Sequence, residues 1–178
     1  MADAGGVRGV ISYRDATPAD GALLGGIARA TFIETFGTLY SLENLAGFLA
    51  KSSDAAYAAE LADPDVEVRF AEDQGIAMGF CKISGLKLPA NAEGRKAVEL
   101  RQLYVFRPWH GVGIADVLTR WAFDRARARG ADEIWLSVYT QNPRARRFYA
   151  RHGFAEIAPY KFMVGTQADE DILCRAML

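Results

Sequence analysis

The sequence predicts an α/β fold of the α+β type, with about four helices flanking a mixed, mostly antiparallel twisted sheet of six to seven strands. Segments with alternating hydrophobic and polar residues predict the strands, and segments with hydrophobic residues every three to four positions predict the helices. Their order is a strand, a helical region, three strands, a helix, a strand, a helix and two strands. Such mixed connectivity is typical of helices packed against a largely antiparallel sheet.

The first third of the chain predicts one strand followed by a long helical region. Residues 10–14 form the predicted strand. Thr17 is the expected N-cap of the helix that follows, with Pro18 at its first position. Helical periodicity then continues from residue 19 to about residue 61, with a break near Gly37.

The middle of the chain predicts three strands. Residues 66–70 alternate in polarity and residues 76–84 are mostly apolar, and a tight turn at 73–75 separates them. Together these segments predict a β-hairpin. Residues 87–94 contain proline, asparagine and glycine and predict an exposed loop, after which residues 97–105 predict the third strand.

The last part of the chain alternates between helices and strands. Residues 113–129 predict a helix, because hydrophobic side chains recur along one of its faces. Residues 134–138 predict a strand and residues 143–152 another helix. Two final strands are predicted over 155–163 and 171–177.

The charge balance argues against several functional classes. The 178 residues include 21 Lys and Arg and 22 Asp and Glu, so the net charge is −1. Without a basic excess, we expect no nucleic-acid partner and no membrane partner. No segment approaches the roughly 18 apolar residues of a membrane span. The N-terminus also lacks the features of a signal peptide, so the expected location is cytoplasmic.

One domain is predicted. Residues 1–8 are mostly small and are expected to be disordered. Residues 9–178 contain no linker-like segment and are expected to form a single domain; 51% of the chain is hydrophobic, enough for one core. Cys81 and Cys174 lie in apolar stretches and are interpreted as reduced core thiols.

A glycine-containing loop lies between the strand ending at Val105 and the helix beginning at Gly113. Its sequence over residues 110–115 is His-Gly-Val-Gly-Ile-Ala. A helix N-terminus offers free N–H groups and the positive end of the helix dipole, and glycines let an anion approach the backbone closely. The loop therefore indicates a phosphate site, although an ordinary tight turn is the alternative. It is not a P-loop, because no Gly-Lys-Ser/Thr follows.

This loop resembles the acetyl-CoA loop of the GNAT superfamily of N-acetyltransferases, whose pattern is Gln/Arg-x-x-Gly-x-Gly/Ala. Gly113 and Ala115 match the pattern, whereas His110 stands where Gln or Arg is usual. Residues 142–154 match a second motif of the family, Asn-x-x-Ala-x-x-Phe/Leu-Tyr-x-x-x-Gly-Phe. The resemblance implies the GNAT fold, with acetyl-CoA as cosubstrate.

Five further stretches resemble bacterial spermidine/spermine acetyltransferases, at residues 30–36, 41–45, 99–105, 134–138 and 171–173. This narrower resemblance implies acetyl transfer to a primary amine, a polyamine such as spermidine or spermine, by direct attack in a ternary complex. Peptide or protein amines are an alternative acceptor, and a non-catalytic acyl-CoA-binding sensor domain is an alternative function. Relatives also suggest a homodimer.

The resemblance implies two catalytic residues. Tyr149 is expected to protonate the departing CoA thiolate, and the alternative is a core tyrosine on an apolar helical stripe. Glu99 is expected to act as a general base, and the alternative is a pairing with Arg101, Arg14 or a neighbouring strand. Strand alternation predicts that one face of this strand carries Glu99, Arg101, Leu103 and Val105.

The cofactor-binding residues implied by the resemblance come from the strand before the loop, from the loop and from the second motif. They are Leu103, Tyr104, Val105, His110, Gly111, Val112, Gly113, Ile114, Ala115, Asn142, Ala145 and Tyr149.

A cationic acceptor requires acidic groups along its entry. The resemblance assigns that wall to the first helices, where Glu34 and Glu43 lie, although both are also typical of solvated helix faces. Phe32, Phe36 and Tyr40 are expected in the core rather than in a substrate site. The two histidines of the chain are too few and too poorly spaced for a metal site, and none is predicted.

Overall fold

The computed structural model describes residues 9–178, so the segment 1–8 that was predicted to be disordered lies outside the described residues. Seven strands form one sheet in the order β1-β2-β3-β4-β5-β7-β6. Their bounds are β1 Ser12–Asp15, β2 Glu67–Asp73, β3 Ile76–Gly85, β4 Ala97–Val105, β5 Glu133–Tyr139, β6 Ala155–Val164 and β7 Gln167–Met177.

The helices flank this sheet, with bounds α1 Gly21–Phe36, α2 Leu42–Lys51, α3 Asp54–Ala62, α4 Ile114–Ala128 and α5 Pro143–Arg151. The predicted first helical region is thus divided twice, after Phe36 and again between α2 and α3. After each division, a serine caps the start of the next helix. The Oγ atom of Ser41 accepts the N–H of Asn44, and that of Ser53 accepts the N–H of Ala56. Serine favours such N-caps over a helix interior.

The sheet divides between β4 and β5. These two neighbours are parallel, whereas the other neighbouring strands pair antiparallel. Their pairing is limited to Ala97–Glu99 against Glu133–Trp135. Beyond this point the two strands separate and leave backbone groups without a strand partner. The gap, here called the split, is therefore open to another hydrogen-bonding group.

Two hydrophobic cores cover the two faces of the sheet. On the α4 face, Leu118 of α4 packs in a cluster with Ile134 and Leu136 of β5. On the α1 face, Leu24 of α1 packs in a second cluster with Phe80 of β3. The α1 face also carries α3, and the phenyl rings of Phe48 in α2 and Phe162 in β6 meet there at 6.0 Å.

A β-bulge interrupts β4. Lys82 and Ile83 are consecutive in β3, but their partners in β4 are two residues apart, so Arg101 is the extra residue. A bulge of this kind reverses which face the side chains before and after it point to.

The bulge makes the predicted alternation along β4 wrong. Glu99, Arg101, Leu103 and Val105 were expected to share one face. Leu103 and Val105 pack into the α4-face cluster, and so does Leu100, the neighbour of Glu99. Because adjacent strand residues point to opposite faces, Glu99 faces the α1 side of the sheet.

The predicted mixed, mostly antiparallel sheet with flanking helices is confirmed. Among the strand bounds the largest shift from prediction is at β7, which begins at Gln167 rather than at residue 171. Over residues 9–178, no helix combines the length and the apolar character that crossing a membrane requires.

Candidate active site

A cleft of about 900 Å³ opens at the split between β4 and β5, a volume typical of small-molecule sites. Its loop side is formed by residues 109–116 and by α5. Its β7 side is formed by residues of β5, β6 and β7 and by the aromatic residues of α1 and α2. The split thus joins two chemically different halves of one cleft.

On the loop side, two glycines set the backbone before α4. Gly111 has φ of 81° and Gly113 has φ of 90°, values in the left-handed region that favours glycine. Gly113 is the N-cap of α4, and no side chain caps this helix. The N–H groups of the first turn are therefore available to an anion, at the positive end of the helix dipole.

His110 ties the loop to its neighbours through both nitrogens of its ring. Nε2 lies 2.6 Å from the carbonyl oxygen of Val105, and Nδ1 contacts the guanidinium of Arg144. A carbonyl only accepts and a guanidinium only donates hydrogen bonds. The two contacts therefore fit the tautomer that carries its proton on Nε2. The atypical residue of the loop holds the loop in position through its side chain.

The start of α5 completes the loop side. The Oδ1 atom of Asn142 accepts the N–H of Ala145 at 3.0 Å and so caps the helix, with proline at its first position. Arg144, Arg147 and Arg151 of α5 line the cleft. These guanidinium groups place positive charge beside the glycine loop, where an anion with several phosphates is stabilised.

Tyr149 lies in the cleft on α5, and its ring packs on the α4-face cluster, with the Phe154 ring centroid 5.6 Å away. Within residues 9–178 its hydroxyl makes no hydrogen bond to another residue. Burial raises the pKa of Tyr149, and the charges of Cys81, Tyr104 and Cys174 add to that shift. A neutral hydroxyl without a partner is available to donate a proton into the cleft.

Glu99 also lines the cleft and is buried, at 7% exposure. Its Oε2 atom accepts the backbone N–H groups of Lys87 at 2.8 Å and Leu88 at 2.9 Å. These hydrogen bonds anchor the loop between β3 and β4. One carboxylate oxygen of Glu99 is therefore occupied by a structural contact.

The β7 side carries two buried aspartates. Asp169 and Asp171 are 7% and 8% exposed, and both line the cleft. The Tyr40 hydroxyl donates to Oδ2 of Asp169, and the amide of Gln167 donates to Oδ1 at 2.9 Å. Both oxygens of Asp169 are thus occupied. Burial of Tyr40 and its hydrogen bond to Asp169 together raise the pKa of the Tyr40 hydroxyl.

Asp171 is differently placed. Burial raises its pKa from 3.8 to about 6; a hydrogen bond from Ser137 opposes the shift, and the charge of Asp169 adds to it. No ion pair to Asp171 forms within the part of the chain that the structure describes. A buried carboxylate without a cationic partner is costly to a fold and is a common mark of a functional site.

Basic side chains lie further along the same cleft. Lys82 is 3% exposed, and its Nζ lies 2.5 Å from Oε2 of Glu60. Arg101, the bulge residue, contacts the other oxygen of Glu60 at 3.3 Å. Burial lowers the pKa of Lys82 to about 8, although the charge of Glu60 opposes this change. Two cations thus share one carboxylate.

Of the cofactor-binding residues expected from the sequence, Val112 alone is absent from the lining of the cleft, and it is 44% exposed. Neither Glu34 nor Glu43 lines the cleft. Glu34 instead accepts the N–H of Arg107 at 3.1 Å and holds α1 to the segment after β4. Among residues 9–178, no group of three or more His, Cys, Asp and Glu side chains is arranged to hold a metal ion.

The acidic residues of the cleft were not predicted from the sequence. Phe32, Phe36 and Tyr40, expected in the core, line the β7 side of the cleft, and of these Phe32 is also buried, at 6% exposure. The available signal for Asp169 and Asp171 was their spacing, because residues two apart in a strand share one face. It was overlooked because β7 was predicted to begin at residue 171. Both aspartates lie inside a central strand, where unpaired acids are rare.

The halves of the cleft suit two different molecules, a phosphate-bearing donor on the loop side and a cationic acceptor on the β7 side. That division is expected of a transferase that uses an acyl-CoA donor. The profile of the acetyltransferase (GNAT) family matches residues 33–154. The chain belongs to the GNAT family of acetyl-CoA-dependent N-acetyltransferases.

Individual proteins agree with this assignment. A Mycobacterium tuberculosis protein named as an uncharacterized N-acetyltransferase is 31% identical over 149 residues, covering 83% of this chain and 91% of that protein. A similarly named protein of Lactobacillus delbrueckii is 26% identical over 153 residues, covering 85% and 88%. The crystal structure of PaiA N-acetyltransferase from Thermoplasma acidophilum, in complex with coenzyme A, shares the fold. Its TM-score is 0.73 at 21% identity, covering 94% of this chain and 99% of that one.

Proposed function

We propose that the protein transfers the acetyl group of acetyl-CoA to a primary amine, with a polyamine such as spermidine or spermine as the preferred acceptor, by direct attack in a ternary complex. One observation carries the proposal. The split between β4 and β5 joins an anion-binding loop to a cleft lined by two buried aspartates. The thioester of acetyl-CoA would lie at the split, between its phosphates and the amine.

On the loop side, the proposed pyrophosphate contacts are the main-chain N–H groups of residues 111–115. Leu103, Tyr104 and Val105 pair with β3 but not with β5, and their backbone groups on the split side would hold the pantetheine arm. Asn142 and Ala145 would border that arm at the start of α5.

The proposed chemistry needs an acid for the leaving thiolate and a base for the amine. We propose Tyr149 as the acid, because its neutral hydroxyl lines the cleft and has no partner among the described residues. Glu99, the base implied by the family resemblance, lies in the same cleft with one oxygen held by the loop between β3 and β4.

The charge pattern of the cleft supports a cationic acceptor. Asp169 and Asp171 lie beside the aromatic rings of Tyr40 and Tyr139, and the Phe36 and Tyr139 rings meet edge to face at 6.2 Å. Ammonium groups are stabilised by carboxylates and by aromatic faces. Polyamines offer several such groups on an apolar chain.

A second candidate acceptor is a peptide N-terminus, and a separate observation favours it. Lys51, Lys82, Lys87 and Arg101 line the same cleft. Basic side chains in addition to acidic ones suit an acceptor that carries a carboxylate or peptide carbonyls as well as an amine.

The test is turnover with an amine panel. Release of CoA from acetyl-CoA would be followed with spermidine, spermine, putrescine, N-terminal peptides and lysine peptides. We expect the polyamines to exceed the peptides at least tenfold in kcat/KM. The reverse order would favour the peptide candidate. Binding of acetyl-CoA without turnover of any amine would favour a sensor domain.

Three expectations from the sequence remain proposals. We propose that residues 9–178 form a single domain, which a cooperative unfolding transition would support. We also propose a cytoplasmic location, consistent with the two buried free thiols Cys81 and Cys174. A homodimer is proposed as well, and light scattering would test it.

A further inference from the structure

Asp171 lies in β7, near the end of the sheet at which β4 and β5 separate. It lies opposite Tyr139 of β5 on one side and opposite Tyr160 of β6 on the other. Because β4 pairs with β5 only up to Trp135, this end of β5 borders the split. Asp171 is therefore one strand, β5, away from the gap that the thioester would occupy, at the end of the sheet where β4 and β5 separate.

Tyr104 connects Asp171 with the proposed acid. Burial raises the pKa of Tyr104, and the charges of Tyr57 and Asp171 add to that shift. The ionised form of Tyr104 in turn contributes to the raised pKa of Tyr149. Tyr104, Tyr149 and Asp171 all line the cleft.

The surroundings of Asp171 contain no compensating cation among the described residues. The groups that face it are listed by element: Tyr139 and Ser137 of β5, Tyr160 of β6, Asp169 of β7, Tyr104 of β4, and Tyr40 through its contact with Asp169. All of these groups are hydroxyls except Asp169, which is a second carboxylate. The region therefore favours a positive charge that residues 9–178 do not supply.

The other carboxylates of the cleft are engaged. Both oxygens of Asp169 accept hydrogen bonds, from Tyr40 and Gln167. Glu99 accepts two backbone N–H groups, Glu60 pairs with Lys82 and Arg101, and Oδ1 of Asp116 lies 3.0 Å from Nε2 of His152. Asp171 is left with the Ser137 hydroxyl as its hydrogen-bond partner in residues 9–178. It has the greatest remaining capacity to accept a proton.

We propose that Asp171, rather than Glu99, is the catalytic residue that takes the proton of the acceptor ammonium. This inference rests on the proposed acetyl transfer. Asp171 accepts one proton from R–NH₃⁺, and the free amine attacks the thioester carbon. The C–N bond forms and the C–S bond breaks. Tyr149 donates its proton to the departing thiolate and regains one from the attacking nitrogen, while Asp171 releases its proton to water.

The decisive experiment compares Asp171→Asn, Glu99→Gln and Glu170→Gln, with spermidine as the acceptor or else the best amine of the panel. Glu170 is the neighbour of Asp171 in β7 and is paired with Lys161 at the surface, so it is the matched control. We expect Asp171→Asn to lower kcat/KM for the amine at least 100-fold. Glu170→Gln should stay within twofold of the wild type.

The pH profile adds a readout that a purely structural role would not change. Wild-type kcat/KM for the amine should fall below pH 6, and Asp171→Asn should lack this acidic limb. The acetyl-CoA Kd should be unchanged, which shows that the variant is folded. Retention of more than a third of kcat/KM, or loss of the limb in Glu99→Gln instead, would overturn the proposal.

A measurement without turnover separates this inference from the proposed function. The Asp171 carboxyl carbon, assigned by its absence from the spectrum of Asp171→Asn, would be titrated by NMR in the presence of CoA, which has no acetyl group to transfer. We expect its pKa near 6 and a shift on addition of spermidine. An Asp171 signal that titrates near 4 and ignores spermidine would overturn the inference, even in an enzyme that turns over amines. An enzyme that turns over no amine would instead overturn the proposed function.

Discussion

The loop side and the β7 side of the cleft are built in different ways. The loop side uses main-chain N–H groups from a continuous segment, residues 110–116, and cations from one helix, α5. The β7 side uses side chains from segments far apart in sequence, since Tyr40 meets Asp169 across 129 positions. A site of main-chain groups is set by local backbone conformation, whereas a site of side chains depends on how distant elements pack.

This difference has a consequence for substitution. The loop side should tolerate changes of side chain but not of backbone conformation. The β7 side should be sensitive to single side-chain atoms, because each carboxylate is buried and its charge is not neutralised by an ion pair in the described chain. The predictions below test this contrast, beginning with the largest expected effect.

The largest effect is expected from Gly113→Val. With φ at 90°, a β-branched residue is strongly disfavoured, so the loop must change conformation and withdraw its N–H groups. We expect the acetyl-CoA Kd to rise at least 1000-fold by titration calorimetry. Gly26→Val is the matched control, because Gly26 lies on α1 with open space around its Cα. A Kd within threefold of the wild type for Gly113→Val would refute the main-chain phosphate site.

Tyr149→Phe removes one hydroxyl from the split. Loss of the proposed proton donor should reduce kcat about 100-fold and leave the acetyl-CoA Kd within threefold. Tyr13→Phe on β1, away from the cleft, is the control and should keep full activity. If pre-steady-state kinetics show that chemistry limits the rate and kcat is still unchanged, Tyr149 has no part in the proton transfer.

Asp171→Asn should stabilise the fold while it impairs function. Burial raises the Asp171 pKa to about 6, so the ionised form weakens the folded state, and this cost develops as the pH rises from about 4 to 6. At pH 7 the variant should gain up to about 3 kcal/mol in the free energy of unfolding, measured with urea, and at pH 3 it should gain almost nothing. Asp169→Asn, which weakens the contact with Tyr40, should show no such gain. Equal stability of Asp171→Asn and wild type at pH 7 would contradict the buried charge.

The smallest effect concerns His110. His110→Ala removes the contacts with Val105 and Arg144 and should raise the acetyl-CoA Kd about threefold to tenfold, as expected for lost hydrogen bonds. His110→Gln restores the residue usual in the family, and its amide can still donate to the carbonyl of Val105. Its Kd should stay within threefold. A larger loss in His110→Gln than in His110→Ala would show that the imidazole has a role beyond holding the loop.

Much of the fold was predictable, and the exceptions have physical causes. Periodicity identified the strands because alternation is a local property, and it placed α4 and α5 correctly because their apolar faces recur at helical spacing. The division at Ser52 and Ser53 was missed because a serine cap weighs little against a continuous helical pattern. The bulge at Arg101 was missed because a shift of register depends on the partner strand.

In the candidate site, too, the local features were predictable and the features that depend on distant elements were not. The loop side was readable because Gly111, Gly113 and Asn142 act through local backbone geometry, which a motif encodes directly. The acidic wall was assigned to Glu34 and Glu43 on the first helices, whereas the structure has its carboxylates on β7. Nothing local distinguishes a carboxylate that faces solvent from one that faces a cleft.

The sequence by itself determined the strand and helix pattern, the glycine loop and the second motif, and from these the family. Each depends on residues that are neighbours in the chain. Tertiary structure alone decided which face Glu99 takes relative to the residues beyond the bulge and which acids line the cleft. It also left Asp171 buried without a cation among the described residues, because β5, β6 and β7 enclose it with hydroxyl groups and a second carboxylate. Charges that meet only through folding leave no contiguous signature in the sequence.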